Sequence, residues 1–234
     1  MTEHEALILP IAHALGKDLL EQVAFVGGAT VSLHLDDAQP IDISSTKDVD
    51  FIVSVSSYYG YQVLAEQLRS RGFKPSIPEK GEEAPMCRFE CEGILVDVMP
   101  DKEDILGFSN PWFQVGLQES VTYTLPDGLA IKIAQAKHLL ATKLVAFATR
   151  GRDMLSSKDA EDIVVLVNGR DALLDEVKES PIELRQFVQE AMSKFIANSD
   201  FDYLLRNALN GEEEERFEII EERFNELSSK EFLL

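Results

Sequence analysis

Apolar positions recur at Leu7, Ile11, Leu15 and Leu19, which predicts a helix over residues 3–20 with Pro10 disturbing its first half. A short unbroken apolar run, Val23 to Val26, stops at Gly27-Gly28, the pattern of a buried strand entering a tight turn. A short helix starting near Ala29, a polar loop over residues 36–45 and a second strand follow. In that strand Asp48 and Asp50 alternate with Val49 and Phe51. Tyr58 to Arg71 reads as a helix closed by Gly72, with Val63, Leu64 and Leu68 facing inward. Lys74 to Pro85 holds three prolines and several charges, and is predicted as a loop. Met86–Cys91 and Ile94–Met99 flank Glu92-Gly93, a two-residue connection that predicts a hairpin.

Asp101 to Gln118 is predicted to be irregular, with the aromatic segment LGFSNPWF, which includes Trp112, lining a pocket or, as aromatic loop clusters more often do, capping the sheet. Val121–Thr124 and Leu129–Ile133, joined by Pro126-Asp127-Gly128, predict one more short hairpin. From Ala134 onward the periodicity is helical. Gln135–Arg150 forms an amphipathic helix, a loop over 151–156 follows, and Ser156 or Ser157 caps the next helix. Ile182–Ile196 gathers Leu184, Phe187, Val188, Met192 and Phe195 on one side. Residues 212–226 contain eight glutamates, yet Phe217, Ile220, Phe224 and Leu227 keep helical spacing, so a terminal helix with a solvated acidic face is expected. The change of pattern predicts an α+β chain: a small mixed sheet with flanking helices over residues 1–133, followed by a helical part over 134–234.

At 234 residues the chain can bury a core as one large domain or two small ones, and 45% hydrophobic with 27% charged residues is the composition of a globular protein. No apolar run approaches the roughly 20 residues of a membrane span. The N-terminal residues lack a basic segment and a small-residue cleavage site, so no signal peptide is expected. Cys87 and Cys91 share one face of a strand but lie too far apart for a relaxed disulfide, and are expected as core or half-buried thiols in a reducing cytoplasm. The net charge of −20 argues against non-specific gripping of nucleic acid. The four histidines have no metal-ligand spacing, and nucleophile-elbow, Walker and dinucleotide motifs are absent.

Candidate chemistry concentrates between Val23 and Val53. Gly27 and Gly28, with the Thr30 region behind them, would let backbone N–H groups approach a phosphate, and a helix starting there would aim its positive end at the same ligand. Period-two geometry places Asp48 and Asp50 on one face, where two adjacent carboxylates repel and suit a divalent cation. Asp97 lies inside an otherwise apolar strand, where it must be paired, bind metal or sit at an exposed edge. On the later helix Lys143 and Arg150 are two turns apart and share a face, as solvated charges or as partners of a triphosphate. Asp159 and Asp162 also share a face. First-turn dipole complementarity accounts for them, and either one could approach Lys143.

The Gly27-Gly28 turn followed by Asp48-Val49-Asp50 resembles the signature of the DNA polymerase β-type nucleotidyltransferase superfamily, with a longer gap than its most compact form. Lys143, Arg150 and Lys158-Asp159-x-x-Asp162 resemble the later motifs of the AbiEii-like toxin nucleotidyltransferases, as do LGFSNPWF and the Leu-Pro-Asp-Gly-Leu turn; the similarity spans residues 23–170. The resemblance implies a Mg²⁺-dependent transfer of NMP from an NTP. Asp48, Asp50 and Asp97 would hold metal, and Gly27, Gly28, Thr30, Lys143 and Arg150 would meet the phosphates. Asp159 would act as a catalytic or lysine-orienting acid, so the helical part would contribute Lys143 and Asp159 to the site. It further implies an RNA 3′ end such as tRNA as acceptor and an antitoxin protein as partner. A small-molecule or protein acceptor and a degenerate binding module remain the alternatives.

Overall fold

The computed structural model describes residues 1–36, 46–77, 85–150, 153–209 and 214–230. Much of the predicted 36–45 loop, part of the 74–85 loop and the first glutamates of the 212–226 cluster lie outside the described residues. Two compact units divide the chain: Met1–Leu33 with Ser45–His138, and His34–Ser44 with Leu139–Leu234. None of the described helices is long and apolar enough to cross a membrane.

The first unit is built on a seven-stranded mixed sheet. Its strands are β1 (Val23–Val26), β2 (Asp48–Val53), β3 (Lys74–Pro75), β4 (Arg88–Cys91), β5 (Ile94–Pro100), β6 (Val121–Thr124) and β7 (Ala130–Ile133), in the order β3-β4-β5-β2-β1-β7-β6. β2 runs antiparallel to β1 and parallel to β5. Register then sorts side chains to two faces. One face collects Val23, Phe25, Val49, Phe51, Phe89, Val96, Val98, Ile131 and Ile133, all buried. Helices α1 (Glu3–Leu20) and α2 (Tyr58–Ser70) supply Ile8, Ile11, Leu15, Leu19, Leu64 and Leu68 to the same core. Phe25 and Phe51 meet edge to face at its centre, 6.0 Å between ring centroids.

Four sequence expectations change in detail, the first being that the predicted 74–85 loop opens with the two residues of β3. α1 breaks at Gly16, which takes φ +68°, and not at Pro10. Pro10, the eighth residue of α1, lacks the N–H that would meet the Ala6 carbonyl, yet the helical backbone continues through it to the kink at Gly16. Val63 points outward, 43% exposed, while Tyr61, Leu64, Ala65 and Leu68 turn inward. The 101–118 segment is not wholly irregular: it holds α3 (Glu103–Leu106) and α4 (Phe113–Gln118). α4 packs on the second face of the sheet, where Gly116 comes so close to Ile52, Ala134 and His138 that an added Cβ would sit 3.6–3.8 Å from them.

The second unit is helical: α5 (Ala136–Arg150, entering it after His138), α6 (Lys158–Gly169), α7 (Leu173–Lys178), α8 (Ile182–Ile196), α9 (Phe201–Ala208) and α10 (Glu214–Ser228). Ser157 caps α6, accepting from the Ala160 N–H. Phe195, Phe201 and Phe224 form an aromatic cluster with centroids 5.0–6.1 Å apart. The acidic α10 buries Phe217, Ile220, Phe224 and Leu227, as their spacing predicts. Its two arginines cap α6: Arg216 and Arg223 donate to the Val167 and Asn168 carbonyls at 2.5–3.1 Å, satisfying the end of that helix.

Candidate active site

The second face of the sheet is polar at one end. Asp48 and Asp50 project from it together, and the parallel register sets Asp97 of β5 directly beside Asp50. The antiparallel β4–β5 pair then sets Arg88 beside Asp97. Glu92 and Gly93, at φ +53° and +76°, make the tight hairpin turn that fixes this register.

β1 ends at Gly27, and its last residue, Val26, pairs with Asp50. Gly27 takes φ +82°, and a Cβ placed on it would stand 2.0 Å from Asp50 Oδ2 and 2.8 Å from its Cγ. Only glycine lets the backbone pass this close to the carboxylate. The bend and the acid are therefore neighbours. Beyond it, the expected short helix forms as a 3-10 helix over Gly28–His34. Thr30 is buried and braces the turn: its hydroxyl and its N–H both reach the Gly27 carbonyl, at 2.9 and 3.1 Å.

Asp48 accepts a 2.6 Å hydrogen bond from the Thr46 hydroxyl at Oδ1, and its Oδ2 lies 3.8 Å from an Arg88 Nη. Asp97 is the sheltered one, with 14% of its side chain exposed. Arg88 grips it with both arms, Nε to Oδ1 at 2.8 Å and Nη2 to Oδ2 at 2.6 Å. That bond, foremost, holds the guanidinium charged against a smaller opposing effect of burial, with the charges of Asp97, Asp48 and Asp50 adding to it. Next to it, burial, reinforced by Asp97, pushes the Cys87 thiol up to about 11, so this cysteine is an inert core residue. Cys91 is buried as well, and neither is in a disulfide.

Hard carboxylate oxygens, a glycine cradle and an exposed approach at Asp48, whose side chain is 37% accessible, are the donor chemistry that Mg²⁺ prefers. Asp48 and Asp50 fit such an ion. Among the described residues, however, no three His, Cys, Asp or Glu side chains group as a metal's ligands would, and Asp97 is engaged by Arg88. Arg88 and Thr46 escaped the sequence reading. Arg88 was nevertheless legible, since a two-residue turn at 92–93 pairs residue 88 with 97.

In the second unit Lys143 is buried between two acids, 3.1 Å from Asp159 Oδ1 and 2.5 Å from Asp162 Oδ2. Burial alone would depress the ammonium, but Asp162 and then Asp159 outweigh it and raise its pKa. Asp162 is the nearer and more enclosed of the two. Arg150, which shares the Lys143 face in the sequence pattern, stands exposed at the last turn of α5.

A separate cleft of about 440 Å³ opens between α1 and the β6–β7 edge, lined by His13, Lys17, Leu20, Leu129 and Lys132 among others. None of the carboxylates above lines it.

The chain matches no family model and no curated protein. Among solved structures it is similar to an antigenic nucleotidyltransferase-like protein from Paracoccidioides brasiliensis, at 14% identity and a TM-score of 0.49 over 94% of each chain.

Proposed function

We propose that this protein is a nucleotidyltransferase that moves NMP from an NTP to an acceptor hydroxyl. The observation that carries the reading is the approach of Gly27 to Asp50, with Asp48 projecting from the same face of β2. A bend that admits backbone to a carboxylate at that range also exposes main-chain N–H groups to a phosphate beside it. Asp48 and Asp50 would hold Mg²⁺, with Asp97 as a third ligand. Mg²⁺, when bound, supplies charge neutralisation to the triphosphate and lowers the pKa of an attacking hydroxyl.

The chain's own residues do the positioning. Gly27 and Gly28 receive the phosphates, and Thr30 keeps the bend rigid through its two contacts to Gly27. Thr46 orients Asp48. In the reaction the acceptor hydroxyl gives up its proton to solvent, its oxygen bonds to the α-phosphorus, the bond from that phosphorus to the bridging oxygen breaks, and pyrophosphate leaves. Alignment and charge neutralisation supply most of the rate. The resemblance assigns the phosphates also to Lys143 and Arg150, and Asp159 to orienting the lysine. Lys143 is held charged by Asp159 and Asp162, and a phosphate role would require it to leave one of those partners.

The resemblance implies an RNA 3′ end as acceptor, with an antitoxin as partner. The net charge of −20 favours a second reading, a small-molecule or protein hydroxyl, because such acceptors need no basic track. Incubation with each α-labelled NTP, Mg²⁺, cellular RNA and cellular protein tests both. Label on RNA supports the first acceptor, and label on metabolites or protein supports the second. No transfer to any of them, with the wild-type chain folded, overturns the enzyme reading in favour of a degenerate binding module.

A further inference from the structure

Asp97 cannot serve the cation and its present partner together. Arg88 occupies both of its oxygens in a fork-on-fork pair, at 2.8 and 2.6 Å. The Nη2 that contacts Asp97 also stands 3.8 Å from Asp48 Oδ2. The guanidinium thus lies between two carboxylates that a shared cation would draw together. A dication on the same oxygens would face that guanidinium at contact distance, where like charges repel most strongly. The two partners differ in freedom: the Arg88 side chain is 31% exposed and Asp97 14%. The arginine is the side that can move, and the aspartate is fixed in the middle of the sheet.

We propose that Arg88 is a positioning residue that competes with the divalent cation for Asp97, so that cation binding transfers this carboxylate from the guanidinium to the metal. The inference rests on the cation reading of Asp48 and Asp50, and deepens it by setting the affinity of that site. Arg88 keeps the three carboxylates from repelling one another when it holds Asp97, and it sets the threshold that a cation must exceed to complete the ligand set.

Titration of the full chain with Mn²⁺, followed by the EPR signal of the free ion, tests this. Wild type, Arg88→Gln, Asp97→Asn, the Arg88→Gln/Asp97→Asn double variant and Asp48→Ala/Asp50→Ala are compared, with far-UV circular dichroism to confirm folding. Loss of the competitor should tighten Mn²⁺ binding about tenfold in Arg88→Gln, the scale of a close charge pair. The gain should vanish in the Asp97→Asn background. Arg88→Lys keeps the charge without the fork and should fall between; it serves as the readout if Arg88→Gln does not fold.

Unchanged affinity in Arg88→Gln overturns the inference. So does a gain of equal size with and without Asp97, which would reveal general repulsion in place of competition for one carboxylate. Absence of Mn²⁺ binding in wild type and Arg88→Gln alike overturns the underlying cation reading and this inference with it.

Discussion

Among the described residues, two clusters combine aspartates with a single cationic side chain, and they are built differently. On the sheet, Arg88 faces Asp97 and Asp48 with 31% of its side chain exposed, and Asp48 is 37% exposed. In the helical unit, Lys143 is enclosed by Asp159 and Asp162, and all three side chains are 14% exposed or less. An enclosed ion pair is strongly coupled, because leaving either charge unpaired in a dry interior costs several kcal/mol. On the sheet Asp97 is as sheltered as Asp159, at 14%, but its partner Arg88 reaches solvent, where water screens the cation and lets it exchange partners at lower cost. The sheet cluster has the properties of a site that takes up and releases a ligand. The helical cluster, considered within its own unit, has those of a brace.

Variants can break that division. The largest effect is expected from Asp48→Ala/Asp50→Ala, which should lower nucleotidyl transfer by roughly a thousandfold or more while leaving thermal unfolding nearly unchanged. A drop in activity matched by a collapse of the melting transition would mean that the sheet acids are structural. Lys143→Met should show the reverse balance and destabilise the protein by about 3–5 kcal/mol in urea titration, since two enclosed carboxylates lose their cation. If a Lys143→Met chain proves as stable as wild type but has lost its affinity for NTP, the helical cluster is a phosphate site and not a brace.

Gly27→Ala comes next. With φ at +82° and a Cβ directed at Asp50 Oδ2, it should cost about 1–3 kcal/mol and weaken Mn²⁺ binding, because Asp50 has to shift. Wild-type Mn²⁺ affinity in a folded Gly27→Ala chain would separate the bend from the acids.

The smallest expected effect is on acid stability. Burial pulls the His138 imidazole below its usual 6.5, against the pull of Glu119, whose carboxylate accepts from Nε2 at 2.9 Å. The unfolded chain therefore takes up this proton first. Stability should be flat above about pH 6.5 and fall as pH drops through that value toward the folded pKa. Glu119, held low by His138 and Lys137, adds to the loss only below its own usual 4.5. Denaturation midpoints from pH 8 to 5 check this, and His138→Gln should flatten the upper part of the slope.

Much of the sheet was legible in the sequence, for identifiable reasons. The β4–β5 hairpin followed from a two-residue turn, and the strand bearing Asp48 and Asp50 from strict alternation. α10 followed from four apolar residues at helical spacing within a glutamate-rich stretch. What escaped depended on long-range geometry. Val63 is apolar and helical, but only the packing angle of α2 shows that it faces water. Gly16 carries the break in α1 because its positive φ costs glycine little. The Asp48–Asp50 pair was visible as a motif, but its contact with Gly27 needed the β1–β2 register. Asp97 stands in an apolar strand, where a carboxylate must be paired, bind metal or reach an edge, and the hairpin register sets Arg88 beside it.

The central claim is that Asp48 and Asp50 hold a divalent cation together with an NTP beside the Gly27 bend. Calorimetric titration of NTP into the chain, with Mg²⁺ and with EDTA, tests it most directly. Saturable binding to wild type that requires Mg²⁺ and disappears in folded Asp48→Ala/Asp50→Ala is the predicted result. Equal binding by both chains, or binding indifferent to Mg²⁺, contradicts the account.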